Sequence, residues 1–323
     1  ELNRINVFPV NDGDTGTNMA ATVRSIFDTV HPHRSYKVTL KRIAESALSN
    51  ARGNSGIIFA QFLYGLSNET VEQNAITLHE FSESLRKSVR YIYEAIANPV
   101  EGTMLTVIRE WAAYISSQHS LSGDFIRMFF NSEEVLSKSL VETKGKLAVL
   151  KQANVVDAGA SGFVLFINGI IDFIRTSNVR HLLRTKAESI ILPDEMVHIP
   201  EKVHLRYCTE AILQKVTADT PSLTQLLNKY GDSVVVAGSD TMKHLHLNTY
   251  EPAELFEELR NFGAITIQKA DDMARQSDTV YRRKWKIALV TDSTCDLASE
   301  LIDQYQIHVL PINIQIGENH YLD

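Results

Sequence analysis

Residues 6–19 read NVFPVNDGDTGTNM and lead directly into the apolar pattern of a helix. This stretch contains Gly13-Asp14-Thr15-Gly16, the first of three tetrads of the form Gly-x-[Ser/Thr]-Gly. The others are Gly53-Asn54-Ser55-Gly56 and Gly159-Ala160-Ser161-Gly162. Each tetrad stands at the start of a predicted helix, where free backbone N–H groups and the positive end of the helix dipole attract anions. Three such starts, brought together, would form a site for a polyphosphate.

The same tetrads have a simpler interpretation. Glycine and serine at the start of a helix are ordinary capping residues, and for one tetrad alone capping is the better explanation. Three tetrads in one domain favour a ligand site without excluding capping. A further helix start, Glu101-Gly102-Thr103, has similar chemistry.

Two acids flank the first glycine turn. Asp12 and Asp14 are two residues apart, and Mg²⁺ in proteins takes one or two carboxylates and fills its shell with water and phosphate oxygens. An Asx turn without metal explains the spacing equally well. A calcium EF-hand is excluded, because the twelfth position counted from Asp12 is Val23 rather than Glu. The chain contains neither a P-loop motif nor a Gly-x-Gly-x-x-Gly motif.

The first 180 residues are predicted to be all-α. Apolar residues recur at intervals of three and four through about eight segments. These predicted helices cover residues 17–30, 38–50, 55–67, 77–96, 102–118, 124–142, 144–153 and 160–176.

The pattern changes near residue 180. Arg180–Pro200 is predicted to be a linker, and residues 196–278 a small α/β domain in which strands alternate with helices. The predicted strands are Val203–Tyr207 leading into Thr209–Gln214, Ser233–Gly238 and Lys243–Asn248. The predicted helices are Ser222–Tyr230 and Pro252–Asn261.

Residues 284–323 open a third domain. Lys286–Thr291 has the pattern of a buried strand, Asp292–Asp296 of a turn, Leu297–Tyr305 of a helix and His308–Ile316 of a second strand. This order begins a doubly wound α/β fold and stops before such a fold closes. Because the sequence also begins with Glu1 rather than Met, we expect a fragment of a longer protein.

Composition narrows the classes of function. The 323 residues carry a formal charge of −7, which argues against a nucleic-acid scaffold or a polybasic membrane binder. Two cysteines cannot form a disulfide framework and fit a reducing compartment, so we expect a cytoplasmic protein. We expect neither a signal peptide nor a transmembrane segment, since the densest apolar run, Gly162–Ile174, is too short to span a bilayer.

Four motifs in the same order resemble the DAK2 (DhaL-like) kinase domain, and in particular the kinase subunit family of bacterial fatty acid kinase. They are residues 6–19 together with Ala51–Ile57, Asn98–Thr106 and Val155–Gly162. The resemblance implies an eight-helix barrel that binds nucleotide at one end. It also implies two Mg²⁺ held between acidic residues and the phosphates of ATP.

The resemblance assigns roles residue by residue. Asp12 and Asp14 would be the Mg²⁺ ligands and the catalytic residues, and Asn6 aligns, across a gap, near the metal. The remaining nucleotide-binding residues would be Thr15, Gly16, Thr17, Asn18, Asn54, Ser55 and Gly56 around phosphate, Gly102, Thr103 and Met104 along the nucleotide, and Asp157 and Gly159 closing the site.

The middle region resembles the same kinase family, in which a Cys and a His-x-His strand form an apparent zinc site. Alignment on the His-x-His pattern gives Cys208, His244 and His246, whereas alignment on Pro252 gives His246 and Asn248. Zinc favours Cys and His ligands, which supports the first set. A partly buried histidine pair without metal is an equal alternative.

Residues 286–297 resemble the start of the DegV family of fatty-acid-binding proteins. Together the resemblances imply ATP-dependent phosphorylation of a fatty acid carboxylate to acyl phosphate and ADP. A DegV-like domain, in cis or in trans, would present the acyl chain. The alternatives are a dihydroxyacetone-type kinase of small molecules and a non-catalytic, nucleotide-gated lipid-binding protein. We expect no nucleic-acid partner, and we include a homodimer among the expected assemblies.

Overall fold

The structure is a computed structural model that describes residues 1–10, 12–118, 124–176, 205–316 and 319–322. The linker predicted at Arg180–Pro200 lies outside the described residues, as do the boundaries placed at 180 and 196 and the start of the strand predicted from Val203.

The first domain is a closed ring of helices, preceded by a 3-10 turn at Leu2–Ile5. In the ring each long helix packs on the next, and α8 packs back on α1. This arrangement confirms the predicted eight-helix all-α domain. The helices are α1 Thr15–Thr29, α2 Tyr36–Asn50, α3 Gly53–Glu69, α4 Leu78–Ala95, α5 Met104–Gln118, α6 Phe125–Lys146, α7 Ala148–Ala153 and α8 Ala158–Thr176.

The apolar stripes of these helices meet in one core. Phe163 on α8 lies edge-on to Trp111 on α5 and to Phe62 on α3, with ring centroids 5.7 Å apart in both pairs. Phe59 and Phe163 are fully buried, and truncating such a ring to alanine typically costs about 3–5 kcal/mol. Helix starts are capped locally where the sequence allows it, as in the Thr77–Glu80 capping box of α4.

Among the described helices, only α8 is long and apolar enough to cross a membrane by length and composition. Half of its apolar stretch is buried, and the helix packs against α1, α5 and α6. The core helix of a soluble protein passes the same test, so the length and composition of α8 are weak evidence for a membrane span.

The second domain places an antiparallel sheet against two helices. Its strands lie in the order β2-β3-β1-β4, and Leu223, Leu227, Leu255 and Leu259 of the helices pack on one face. The elements are β1 Tyr207–Gln214, α9 Thr220–Leu227, β2 Gly231–Gly238, β3 Met242–Thr249, α10 Pro252–Leu259, β4 Ala264–Asp272 and α11 Met273–Tyr281.

Strand alternation turns the other face of this sheet toward the helical domain. On β2, Val234 and Val236 pack on α9 and α10, whereas Val235 and Ala237 join the core of the helical ring. On β3, Leu245 and Leu247 also lie on the side of these two helices. The intervening residues of β1 and β3 therefore face the helical domain.

Strand β4 was not predicted from the sequence. Its segment AITIQKADD pairs with β1 at the edge of the sheet, and most of its residues are exposed or half-buried. An edge strand needs no buried face, so its hydrophobic alternation is weak.

The third region contains β5 Val290–Asp292, α12 Ser299–Tyr305, β6 His308–Leu310, β7 Asn313–Ile316 and β8 Asn319–Leu322. Parallel pairing of β5 with β6 confirms the predicted strand-helix-strand unit.

Two strand predictions in this region were wrong in extent. The first strand is shorter than predicted and is not buried, since Ile287 is 78% and Val290 is 59% exposed. The second is interrupted at Pro311, which has no N–H to donate to a ladder, and its latter part pairs with β8 instead.

Candidate functional site

Two adjoining cavities lie where the helical ring meets the sheet. The smaller is polar, and the larger has a volume of about 300 Å³. Pro9, Asn54 and Ser55 line both, so the start of α3 separates one cavity from the other. The smaller cavity is also lined by Asn6, Val10, Asp12, Asp14, Thr15, Asn18, Gly53, Cys208, His246 and Asn248.

Asp12 and Asp14 share the wall of the polar cavity. Burial, with the neighbouring Asp14 carboxylate, raises the pKa of Asp12 to about 8, while a hydrogen bond from Asn6 Nδ2, 2.5 Å from Asp12 Oδ1, opposes the shift. A cation would relieve the repulsion between these carboxylates. Their oxygen donors fit Mg²⁺, which would be held by Asp12 and Asp14.

The three glycine tetrads do begin helices, at α1, α3 and α8. Protein groups already occupy several of the N–H groups there. Asn3 Oδ1 accepts from Gly16 N at 2.7 Å and from Thr17 N at 3.1 Å. Glu210 Oε1 accepts from Gly53 N at 2.6 Å. These three N–H groups are therefore capped by side chains from outside the tetrads and are not free for a ligand.

Some residues assigned by resemblance lie outside both cavities. Thr17 is exposed and accepts a hydrogen bond from Asn3, and Gly16 packs on the same asparagine. Gly56 packs against Thr22 Oγ1, and Gly102 N donates to Thr106 Oγ1 at 2.7 Å. Their roles toward nucleotide stay predictions.

Asp157 connects two helix starts. Its Oδ1 accepts from Ala160 N at 2.7 Å, at the start of α8, and from Met104 N at 3.1 Å, at the start of α5. Burial raises its pKa to about 6, and these two backbone hydrogen bonds oppose the shift. Asp157 lines the larger cavity beside Thr103, Met104 and Gly159, and its role in closing a nucleotide site stays a prediction.

The larger cavity has a wall that sequence reasoning missed. Asp232, Ser233, Val234 and Val235 of β2 line this cavity together with Ile58, Ile96, Val100, Met104 and Leu105. An isolated β-bridge joins Ile96 to Val235, and Ala97 N donates to Val234 O at 3.0 Å. No signal in the residues of β2 distinguishes this wall from an ordinary core strand.

A thiol, an imidazole and a carboxylate meet on the sheet face. Cys208 Sγ lies 3.9 Å and Glu210 Oε1 3.6 Å from His246 Nδ1, and one ligand atom from each residue lies within 4.8 Å of the others. His246 Nε2 is buried and has no hydrogen-bond partner among the described residues. This donor set fits zinc.

Burial raises the pKa of both acidic groups of this cluster, but their neighbours shift the two values in opposite directions. Burial and the charges of Glu210 and Asp271 raise the pKa of the Cys208 thiol. Burial alone would raise the pKa of Glu210, but its interactions with His246, with smaller contributions from His244 and Lys269, lower it to about 2. Glu210 is therefore a carboxylate at neutral pH.

His244 is set back from the polar cavity. Its Nδ1 lies 2.8 Å from Leu48 O, and its Nε2 lies 4.0 Å from Glu210 Oε2. Burial lowers its pKa, so the ring is neutral near pH 7. Asn248, the residue given by the alternative alignment, lines the polar cavity together with His246. The zinc ligand set of Cys208, His244 and His246 stays a prediction.

Comparison with known families agrees with this division of the chain. The DAK2 domain matches residues 9–172, the FakA-like middle domain of fatty acid kinase matches residues 204–280, and the DegV family matches residues 286–323.

Bacterial proteins described as uncharacterized match most of the chain. One from Staphylococcus epidermidis is 30% identical, covering 88% of this chain and 53% of its own length. One from Mycoplasma pneumoniae is 29% identical over 96% of this chain and 60% of its own. One from Staphylococcus aureus is 28% identical over 92% and 56%. The chain thus spans roughly half the length of these relatives. It belongs to the DAK2 domain family and continues, in order, into a FakA-like middle domain and a DegV-family segment.

Proposed function

We propose that this protein transfers the γ-phosphoryl group of ATP to the carboxylate of a fatty acid. The domain combination supports a fatty acid kinase-like or DegV-related function. One observation carries the finer assignment: the Asp12–Asp14 pair, the start of α3 and a cavity of about 300 Å³ are contiguous. That volume lies at the lower end of the range for small-molecule sites.

We assign a different part of ATP to each cavity. The larger one, with its apolar wall of Ile58, Met104 and Val235, would take the nucleoside. Asn54 and Ser55, which line both cavities, would then meet the phosphates with their side chains and the N–H groups of the first turn of α3. This placement directs the terminal phosphate toward Asp12 and Asp14.

The transfer needs no general base. An oxygen of the fatty carboxylate attacks the γ-phosphorus, a new P–O bond forms, and the bond to the β-phosphate oxygen breaks to release ADP. No proton is transferred. Bound Mg²⁺, two ions by family resemblance, would supply charge neutralisation. The protein holds the phosphates in line for attack and excludes water.

We further propose that Cys208 and His246, with Glu210 or His244, hold zinc beside this site. The metal content of the protein as purified tests the assignment, and we expect about one zinc per chain, lost in Cys208→Ser. We place the reaction in the cytoplasm, where ATP is available and thiols stay reduced.

ATP consumption by the full-length protein tests the function. We expect turnover that requires both Mg²⁺ and a fatty acid delivered by the DegV-like domain or by a separate DegV-family carrier. Turnover supported by dihydroxyacetone instead would indicate a small-molecule kinase. Nucleotide binding without turnover of any acceptor would indicate a regulatory protein.

A further inference from the structure

The start of α3 lacks a cap from its own segment. Arg52 occupies the N-cap position and makes no side-chain capping hydrogen bond. The cap comes from the sheet domain instead, since Gly53 N donates to Glu210 Oε1 at 2.6 Å across 157 residues of sequence. Both partners are buried. A buried N–H left without an acceptor is costly, so this contact matters to the local conformation.

The geometry around Gly53 leaves little room for adjustment. Its φ is +60°, and a Cβ at this position would collide with Asn18 Nδ2 on α1. Asn18 and the next two residues of α3, Asn54 and Ser55, line the polar cavity. A shift of Gly53 would therefore move the residues proposed to bind phosphate.

Glu210 is itself firmly placed. It lies on β1 directly opposite His246 of β3, and its second oxygen lies 4.0 Å from His244 Nε2. Because both Gly53 and Glu210 are buried, water does not compete for the hydrogen bond between them.

We propose that Glu210 is a positioning residue through which the sheet domain fixes the first turn of α3 in its phosphate-binding conformation. The inference rests on the nucleotide site assigned above. In this proposal the sheet domain fixes the conformation of the nucleotide site, in addition to lining the larger cavity.

The same helix offers a matched control. Gln61 Oε1 accepts from Gly238 N at 2.8 Å, which is a second buried hydrogen bond between α3 and the sheet domain. Gln61 lines neither cavity and lies two turns beyond Gly53. Gln61→Ala therefore weakens domain contact without touching the first turn.

Two measurements on the intact protein test the proposal. The first is hydrogen exchange of the segment containing Gly53–Ser55 without nucleotide. We expect faster exchange in Glu210→Ala, nearly unchanged exchange in Gln61→Ala, and recovery in Glu210→Gln, whose amide oxygen can still accept from Gly53. The second is the Kd for ATP with Mg²⁺. We expect an increase of about tenfold or more in Glu210→Ala, below about threefold in Glu210→Gln and below about twofold in Gln61→Ala.

The exchange measurement separates this proposal from the proposed function. Unchanged exchange at Gly53–Ser55 in Glu210→Ala overturns the positioning role, whatever nucleotide does. Equal effects of Glu210→Ala and Gln61→Ala also overturn it, because the residue would then act only through domain contact. If exchange responds as expected but the wild-type protein binds no ATP, the nucleotide site is wrong and the phosphate-binding role fails with it.

Cys208→Ser checks for an indirect effect through metal. Faster exchange at Gly53 in that variant would assign the effect to the cluster instead of to Glu210.

Discussion

The rim of the helical ring and the sheet face that closes it contribute to the same site in different ways. The rim supplies Asp12, Asp14, Asn54 and Ser55 from short motifs at helix starts. The sheet face supplies Glu210, His246 and the β2 wall from strands that meet only in the folded chain. The site residues on the rim therefore come from short sequence motifs, whereas those of the sheet reach the site only through tertiary contacts.

The largest expected effect belongs to the rim. Asp12→Asn should lower phosphoryl transfer by about 10³-fold or more, because it would remove a proposed ligand of the Mg²⁺ that neutralises the phosphate charge. Steady-state rates with saturating ATP measure the loss. Asp28→Asn is the matched control, since Asp28 lies on α1 and makes an exposed ion pair with Arg24. Comparable rates in Asp12→Asn and wild type would remove Asp12 from the metal site.

Substitutions of Asp157 test how much its two hydrogen bonds at helix starts contribute to stability. Asp157→Ala leaves the N–H groups of Met104 and Ala160 without their acceptor, and we expect a loss of about 2 kcal/mol in the free energy of unfolding. Asp157→Asn keeps an acceptor oxygen and should lose much less. Denaturant unfolding of both variants at pH 7 provides the comparison. Equal losses would mean that the charge, and not the two hydrogen bonds, is what matters.

The Asp12 pKa predicts how stability depends on pH in the metal-free protein. The pKa is raised in the folded state from its ordinary value of 3.8 to about 8. The unfolded chain therefore releases this proton more readily, and deprotonation favours unfolding. The contribution of Asp12 to stability should be fully present below about pH 4 and should decline as pH rises toward 8.

Thermal unfolding between pH 5 and 8 checks this sign. Wild type should lose more Tm with rising pH than Asp12→Asn does, and Mg²⁺ should restore the wild-type Tm most strongly at the upper end of that range. Parallel curves for the two proteins would contradict the assignment.

The smallest effect distinguishes residues inside the cavity from those outside it. Thr17→Ala should change the Kd for ATP by less than about twofold, because Thr17 is exposed and lines neither cavity. Ser55→Ala should raise it by about fivefold, since Ser55 lines both. Calorimetric titration with ATP and Mg²⁺ measures both, and a larger effect at Thr17 would favour the motif assignment over the structure.

The helical ring could be predicted from the sequence because helical periodicity and helix capping depend on residues that are close together in the chain. The glycine tetrads predict helix starts correctly, but they cannot tell a ligand from a neighbouring side chain. At Gly162, for example, a Cβ would collide with Met19 Sδ, so this glycine serves close packing of α8 on α1. The contact between Glu210 and Gly53 leaves no local signature, and neither does the β2 wall. The edge strand β4 was missed because exposure removes the alternation by which a strand is recognised.

We propose that the rim and the sheet together form a magnesium–ATP site that phosphorylates a fatty carboxylate. Incubation of the full-length protein with ATP, Mg²⁺ and a fatty acid bound to a DegV-family carrier, with hydroxylamine to trap acyl phosphate as the acyl hydroxamate, tests this proposal. We expect hydroxamate in amounts matching the ADP formed, none without Mg²⁺, and about 10³-fold less with Asp12→Asn. ADP formation without hydroxamate, or hydroxamate formation undiminished in Asp12→Asn, would contradict it.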